Sequence, residues 1–200
     1  MPTTSKKALL ESRKEEYKLR ERGSAMATQG IEAKGRFSEV FSTLRTSMYI
    51  VTSAYRNQPA GCTCVWVSRA AFDPPLIAVY LAPERHTYQT IERGKRFCVN
   101  VLGESSMQLA RDFGYKSGLV ERKFKDVAWY KSPNGAPILD NAISYFDCVL
   151  EKVIPIGDHR MVLGRIKAAA CQKGEMPLLY DPTTFYTDEV LKQKALSGVD

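Results

Sequence analysis

Short runs of β-branched and aromatic residues, separated by turn residues, recur from residue 48 onward and constrain the fold more than any other feature. Six runs are long enough to be strands: Met48–Ser53, Cys62–Phe72, Leu76–Leu81, Phe97–Leu102, Ile143–Ile154 and Met161–Cys171. Few are joined by a helix that could cross over between parallel strands. The pattern therefore predicts a mainly β fold with short helices, a mostly antiparallel barrel rather than a doubly wound parallel sheet.

Two short helices are predicted between these strands. Residues 86–93 contain helix formers, and a second helix is expected to begin at Ser105 and to end near Gly114. Gln108 follows Ser105 at the spacing of a capping box, in which each side chain bonds the backbone N–H of the other residue. Helices inserted between antiparallel strands place the fold in the α+β class.

The size and composition of the chain are those of one soluble domain. Its 200 residues are 44% hydrophobic and 26% charged. Its longest apolar stretches are about half as long as the ~18 residues that a membrane-spanning helix needs. The first residues are polar and charged and lack the apolar core of a secretion signal. We therefore expect a cytoplasmic protein that does not bind a membrane.

Positive charge is concentrated near the amino terminus. The formal net charge is +7, and residues 1–36 carry nine Lys and Arg against five Glu, a balance of +4. Because these charges are interleaved and no aromatic platform accompanies them, a solvated helix is favoured over a nucleic-acid-binding surface. We predict a charged helical extension and linker over 1–36, one domain over 37–190, and a tail over 191–200.

The sequence lacks the motifs of many catalytic and nucleotide-binding sites. It contains no G-x-G-x-x-G, no phosphate-binding P-loop, no G-x-S-x-G and no H-E-x-x-H. Two histidines are too few for a metal site with several His ligands, and Cys62-x-Cys64 has no second pair. We therefore expect no metal, and any demanding chemistry is expected to come from an organic cofactor.

Five segments, in this order, resemble the flavin reductase-like family, whose fold is the FMN-binding split β-barrel. They are MYIVTS, GCTCVWVSRAAFDPPLIAVYLAPERHTYQTIERGKRFCVNVL, Lys123–Val127, Gly135–Leu139, and Gly157–His159 with Gly164–Ile166. The resemblance covers roughly residues 37–186. Through Trp66–Pro75 and Pro83–Arg85 it is strongest to the flavin reductase modules fused to some flavodiiron proteins. This chain carries no diiron segment, so the resemblance implies a free-standing reductase.

The resemblance implies that one strand passes the edge of the isoalloxazine ring, with its backbone N–H groups facing the O2, N3 and O4 side. The implied cofactor-binding positions are Thr63, Cys64, Val65, Trp66, Val67 and Ser68. Thr63 and Ser68 carry hydroxyls suited to the ring edge or the ribityl chain. Trp66 departs from the commoner family pattern, and two interpretations stay open: stacking near the flavin, or an ordinary core or interface position.

A second implied element is Arg85-His86-Thr87 before a helix. The family places the FMN phosphate, or the first phosphate of FAD, in this neighbourhood. A helix amino terminus offers unpaired N–H groups, and Arg85 adds a full positive charge. Spacing alone allows a simpler interpretation, in which Thr87 is an ordinary helix cap and Arg85 a surface charge.

The third implied element is Gly157-Asp158-His159, a turn between two strands. In the family this histidine lies at the open face of the flavin, near the nicotinamide. We therefore expect His159 to orient NADH or NADPH, without acting as an acid or base. Arg160 is a further candidate for binding the phosphates of the dinucleotide.

Two functions follow from the resemblance. The first is an NAD(P)H:flavin oxidoreductase that binds FMN or FAD and supplies reduced flavin to a flavin-dependent monooxygenase or another electron acceptor. The second is an FMN-binding electron-transfer protein that does not use NAD(P)H directly. The family binds flavin in a groove between two subunits, and the predicted helix over residues 5–22 has few apolar side chains to bury by itself. A homodimer is therefore expected, with no nucleic-acid partner.

Overall fold

The computed structural model describes residues 40–41, 43–115, 123–172 and 174–187. The chain divides into two compact units, Met1–Leu44 and Arg45–Asp200. The predicted extension over 1–36 and the tail over 191–200 lie outside the described residues, so these domain limits stay predictions. Within the described part of the chain, no helix combines the length and the apolar character needed to cross a membrane.

An antiparallel seven-stranded sheet dominates the second unit. In chain order, the strands of this unit are β1 Tyr49–Tyr55, β2 Gln58–Cys64, β3 Val67–Ala71, β4 Leu76–Leu81, β5 Arg96–Leu102, β6 Trp129–Lys131, β7 Pro137–Leu139, β8 Ala142–Ile156 and β9 His159–Cys171. The large sheet has the order β2-β1-β5-β8-β9-β4-β3, and β6 pairs with β7. All pairings are antiparallel, and the sheet is not closed. The split-barrel fold predicted from the sequence is confirmed.

Within the described part of the second unit, three short α-helices accompany the strands: α1 His86–Gly94, α2 Met107–Tyr115 and α3 Pro182–Phe185. The predicted capping box at Ser105 is wrong, because a 3-10 turn over Glu104–Ser106 precedes α2. The backbone N–H of Ser105 donates instead to Glu175, at 2.5 Å, and Gln108 donates to Asp112. A carboxylate distant in the sequence thus replaces the local partner.

Two tight turns set the register of the sheet. Arg56 and Asn57, with φ of 48° and 61°, connect β1 and β2, so that Tyr55 pairs with Gln58. Positive φ at both central residues is the geometry that matches the twist of a two-residue hairpin. Gly157, with φ of 53°, turns the chain between β8 and β9. This second turn places His159 at the start of β9.

The apolar side chains form two main clusters, and neighbouring residues of β1 point into different ones. Val51 packs with Val99 and with Ile91 of α1, whereas Ile50 packs with Phe113 of α2. Successive side chains of a strand point to opposite faces. Burial on both faces explains why Ile50 and Val51 are adjacent apolar residues, instead of alternating with exposed polar ones.

Candidate functional site

The chain passes from β2, at one edge of the sheet, to β3, at the other edge, through Val65 and Trp66. The backbone N–H of Tyr80 in β4 donates to the carbonyl of Trp66 at 3.1 Å, which holds this connection in place. Val65 and Trp66 lie outside both strands. The strand is therefore interrupted at Val65 and Trp66, within the segment that was predicted to border the flavin.

Two of the predicted side chains are used inside the protein. The Thr63 hydroxyl donates to the carbonyl of Ala110 in α2 at 2.6 Å. The Cys64 thiol is buried, contacts the carbonyl of Trp66 at 3.5 Å, and has its pKa raised to about 12, mainly by burial. The thiol is therefore neutral at physiological pH. The Thr63 hydroxyl donates to α2 and keeps lone pairs that can accept a hydrogen bond, so its role at the flavin stays a prediction, whereas the buried Cys64 can offer a ligand its backbone only.

The remaining positions of this segment differ in exposure. Val65 is half-buried against the cluster around α2, and Val67 is half-buried against the cluster around α1. The Ser68 side chain is exposed, and that of Trp66 is 54% exposed although it is a large aromatic group. Trp66 and Ser68 are thus the side chains of this segment that a ligand on the surface can reach.

The indole of Trp66 lies against the imidazole of His159. Their ring centroids are 4.8 Å apart and their planes are inclined by 49°. The hairpin of β8 and β9 brings His159 to this position, because Arg160, the next residue, pairs with Leu81 at the end of β4. Two residues predicted separately from the sequence therefore form one aromatic platform.

Asp158 holds the His159 ring from its other side. Its carboxylate Oδ1 is 2.8 Å from Nδ1 of His159, and this hydrogen bond, with the charge of the imidazole, lowers the pKa of Asp158. Because a carboxylate only accepts hydrogen bonds, Nδ1 of His159 carries a proton and donates to Asp158. His159 therefore presents its Nε2 edge and its ring face away from Asp158.

Arg160 connects this platform to α1. Its Nη1 donates to the carbonyl of His159 at 3.0 Å, and its guanidinium lies within hydrogen-bonding reach of the Tyr88 hydroxyl. Tyr88 also donates to Glu92 at 2.5 Å, and burial, followed by this contact, raises its pKa to about 12. The beginning of β9 and the first turn of α1 thus lie next to each other.

Helix α1 begins at the first residue of the predicted helical stretch. His86 is its first residue, and Arg85 is the N-cap, with extended backbone and no side-chain cap hydrogen bond. The alternative in which Thr87 is the helix cap is wrong. Thr87 is buried in the first turn, and its hydroxyl bonds the Cys62 thiol. The exposed Arg85 is close enough to β2 to influence the thiols of Cys62 and Cys64.

The first helical residue carries a polar atom without a partner. Nδ1 of His86 is buried and makes no hydrogen bond. Burial, and then the charges of Arg93 and Lys123, lower the pKa of His86, so the ring is neutral. A neutral imidazole donates from one nitrogen, and the tautomer follows the partner it finds. An unpartnered ring nitrogen at a helix amino terminus, with the charges of Arg85 and Lys123 nearby, fits a phosphate group.

Lys123 is the residue of this neighbourhood that sequence reasoning did not select as a site residue. Its ammonium donates to the carbonyls of Gly61, at 3.1 Å, and Phe113, at 2.8 Å. It also contributes positive charge at His86 and at Cys62. The sequence did contain one indication that Lys123 matters, because this residue begins the Lys123–Val127 segment, which carries part of the family resemblance. No group of three or more potential metal-ligating side chains occurs among the described residues.

Comparison with known proteins shows the family to which the chain belongs. Residues 41–187 match the flavin reductase like domain. The reductase subunit HsaB of a flavin-dependent monooxygenase from Rhodococcus jostii is 32% identical over 156 residues, 78% of each chain. A high molecular weight rubredoxin from Moorella thermoacetica is 29% identical over 145 residues, 72% of this chain and 63% of that one.

A solved structure gives the same relationship. Nitrilotriacetate monooxygenase component B from Mycobacterium thermoresistibile superposes with a TM-score of 0.68 at 27% identity, over 78% of this chain and 84% of that one. The family resemblance predicted from the sequence is confirmed by the domain match and by these relatives. The chain therefore belongs to the flavin reductase like family and is an enzyme of the flavin reductase type.

Proposed function

We propose that the protein is an NAD(P)H:flavin oxidoreductase that binds FMN or FAD, transfers hydride from NADH or NADPH to the flavin, and supplies the reduced flavin to a partner monooxygenase. The observation that carries this proposal is the platform formed by Trp66 and His159 beside the connection between β2 and β3. An exposed indole beside a half-buried imidazole, next to irregular backbone, suits a flat, conjugated ligand.

The phosphate of the flavin is assigned to the amino terminus of α1. The exposed charge of Arg85 and the unpartnered Nδ1 of His86 are the groups that support this assignment. Lys123 adds positive charge near His86, and Arg93, in the last turn of α1, adds to it from further away. We assign Thr87 a supporting role through its backbone and its bond to Cys62, since its hydroxyl faces the protein interior.

The isoalloxazine ring is assigned to the segment from Thr63 to Ser68. Backbone groups of Val65 and Trp66 would bond the ring edge, and the Ser68 hydroxyl would reach the ring or the ribityl chain. When bound, the flavin supplies the chemistry, because it accepts hydride and passes electrons on. The task of the protein is to set distance and orientation, which His159 performs through its contacts with Trp66 and Asp158.

The partner is proposed from the relatives. HsaB is named as the reductase subunit of a flavin-dependent monooxygenase, and a relative from Rhizobium meliloti, 30% identical over 131 residues, is named as the reductase subunit of a stachydrine N-demethylase. Both names describe the reductase subunit of a larger enzyme, which for HsaB is a flavin-dependent monooxygenase. We extend that role to this chain, and we propose a cytoplasmic homodimer in which the flavin lies between subunits.

The alternative is an FMN-binding electron carrier of the same fold, and anaerobic mixing separates the two. The purified protein, with FMN or FAD, is mixed with NADH or NADPH while the visible absorbance of the flavin is followed. Rapid bleaching with either nicotinamide supports the reductase. Bleaching by dithionite alone, with both nicotinamides slow, would establish the carrier instead.

A further inference from the structure

A small cavity lies at the end of the β1–β2 hairpin that carries the Arg56–Asn57 turn, opposite the end where β2 leads to Trp66. Its volume is about 90 Å³, and its lining residues are Ala54, Asn57, Pro59, Arg96, Trp129, Lys131 and Gly135. In the same measure one water molecule needs ~10–15 Å³, so the cavity has room for a small polyatomic ion. The β1–β2 hairpin forms one wall and the β6–β7 hairpin forms another.

The guanidinium of Arg96 is held in this cavity by neutral groups. Its Nη1 donates to the carbonyl of Asn134 at 2.7 Å, and its Nε lies 3.4 Å from the carbonyl of Ala54. Gly135, with φ of 85°, makes room for it, because a Cβ there would lie 3.0 Å from Nη1. The orientation of the guanidinium is thus fixed before any ligand arrives, and Nη2 makes no hydrogen bond with the described residues.

A second cation lines the same cavity. The ammonium of Lys131 has one hydrogen bond within the described residues, to Oδ1 of Asn57 at 3.4 Å. The lining residues that the structure describes include no aspartate or glutamate. Two like charges facing one small cavity repel each other, and that repulsion grows as the surroundings become less polar. An anion between them would remove the repulsion and complete their hydrogen bonds.

We propose that this cavity is a binding site for a small oxyanion, a free phosphate or a small carboxylate, separate from the flavin site. Arg96 supplies a pre-oriented donor, Lys131 supplies an exposed charge at the rim, and Trp129 supplies an apolar wall. Because Ala54 and Pro59 belong to one hairpin and Trp129 and Lys131 to the other, a bound anion links the two hairpins. Binding therefore stabilises the folded protein by mass action.

Fluorescence titration with inorganic phosphate, and in parallel with acetate, at constant ionic strength tests this site. The chain has two tryptophans, so a Trp66→Phe variant reports on Trp129 alone. We expect a saturable change in Trp129 emission and an increase in melting temperature, with the stronger response identifying phosphate or carboxylate as the preferred ion. Chloride at the same ionic strength controls for general screening.

Variants test whether the change in Trp129 emission comes from an anion bound in this cavity. In the Trp66→Phe background, Lys131→Met removes the rim charge and should weaken binding roughly tenfold, because a hydrogen bond to a charged group is lost. Lys152→Met, at an exposed position of β8 outside the cavity, should leave the titration unchanged. Arg85→Ala, at the proposed flavin phosphate site, should also leave it unchanged.

Three results would overturn the site. Trp129 emission that does not saturate with either anion would show that the cavity binds none. An unchanged titration in Lys131→Met, folded like wild type by circular dichroism, would remove the cavity from the binding. Loss of the response in Arg85→Ala would assign the anion to the amino terminus of α1 instead.

Discussion

The indole of Trp66 and the imidazole of His159 lie 4.8 Å apart between ring centroids, although one follows β2 and the other begins β9. The carbonyl of Trp66 is held by Tyr80 of β4, and Arg160, adjacent to His159, pairs with Leu81 of the same strand. Strand β4 therefore aligns both rings. A change in either ring is expected to alter the geometry of the other.

The first prediction concerns His159 as a positioning residue. His159→Ala should slow reduction of bound flavin by NAD(P)H about a hundredfold, because loss of position by about an ångström has that effect on rate. Flavin affinity should change little, since the groups assigned to the phosphate lie on α1. Stopped-flow reduction measures the rate, and reduction by dithionite is the control that should stay unchanged. Equal rates for variant and wild type would remove His159 from the mechanism.

The second prediction concerns the phosphate. Arg85→Ala should weaken FMN binding by about 1.5–3 kcal/mol, the range for a hydrogen bond to a charged group. Thr87→Ala should affect flavin affinity less, because its hydroxyl bonds Cys62 inside the protein. Arg56→Ala, in the distant β1–β2 turn, is the matched control for loss of one positive charge. Equilibrium titration with FMN checks all three, and unchanged affinity in Arg85→Ala would place the phosphate elsewhere.

The third prediction concerns packing of the barrel. A Cβ at Gly164 of β9 would lie 2.3 Å from Cζ of Phe97 and 2.8 Å from Cβ of Cys148. Gly164→Ala should therefore lower the free energy of unfolding by about 1–3 kcal/mol, the usual cost of overpacking a core. Gly174→Ala is the matched control, because nothing lies within 4 Å of a Cβ there, and its effect should stay within about 0.5 kcal/mol. Urea denaturation measures both, and equal effects would contradict the close approach at Gly164.

The fourth prediction concerns the pH dependence of the contact between Asp158 and His159. The pKa of Asp158 is lowered in the folded state by its hydrogen bond to His159. The stabilisation is therefore present above the ordinary carboxyl pKa of 3.8 and is lost as the pH falls through the lowered value. His159→Ala should raise the pKa of Asp158 toward its ordinary value. Carboxyl carbon shifts measured by NMR across acidic pH test this, and the same titration in both proteins would show that another group lowers it.

The fifth prediction concerns assembly. We expect a dimer at micromolar concentration, with the flavin bound between subunits. The side chains of Phe72, which is 81% exposed, and Trp66, which is 54% exposed, are large apolar groups that a second subunit would cover. Multi-angle light scattering of the purified protein gives the mass directly. A monomer mass would contradict the proposal and require a flavin site within one chain.

Most of the fold could be predicted because it depends on local patterns. Predicted strands over 143–154 and 161–171 correspond to β8 and β9, since long β-branched runs between turns have few alternatives. The helix capping at Ser105 could not be predicted. Its partner, Glu175, belongs to a carboxyl-terminal segment that reaches the helix only after the chain has folded.

The sequence by itself determined most of the strands, the antiparallel class and the family, because period-two patterning, turn residues and ordered motifs are properties of contiguous segments. It was wrong about Cys62–Phe72, predicted as one strand, because the chain divides there into β2 and β3 at opposite edges of the sheet. Tertiary structure alone decided which side chains of those motifs are buried and which are exposed. Thr63 and Cys64 face inward, whereas Trp66 faces out and meets His159. It also brought Lys123 to His86, and Arg96 and Lys131 to one cavity. Such contacts join residues that are distant in the chain. They depend on the order and register of the strands, which no local sequence pattern specifies.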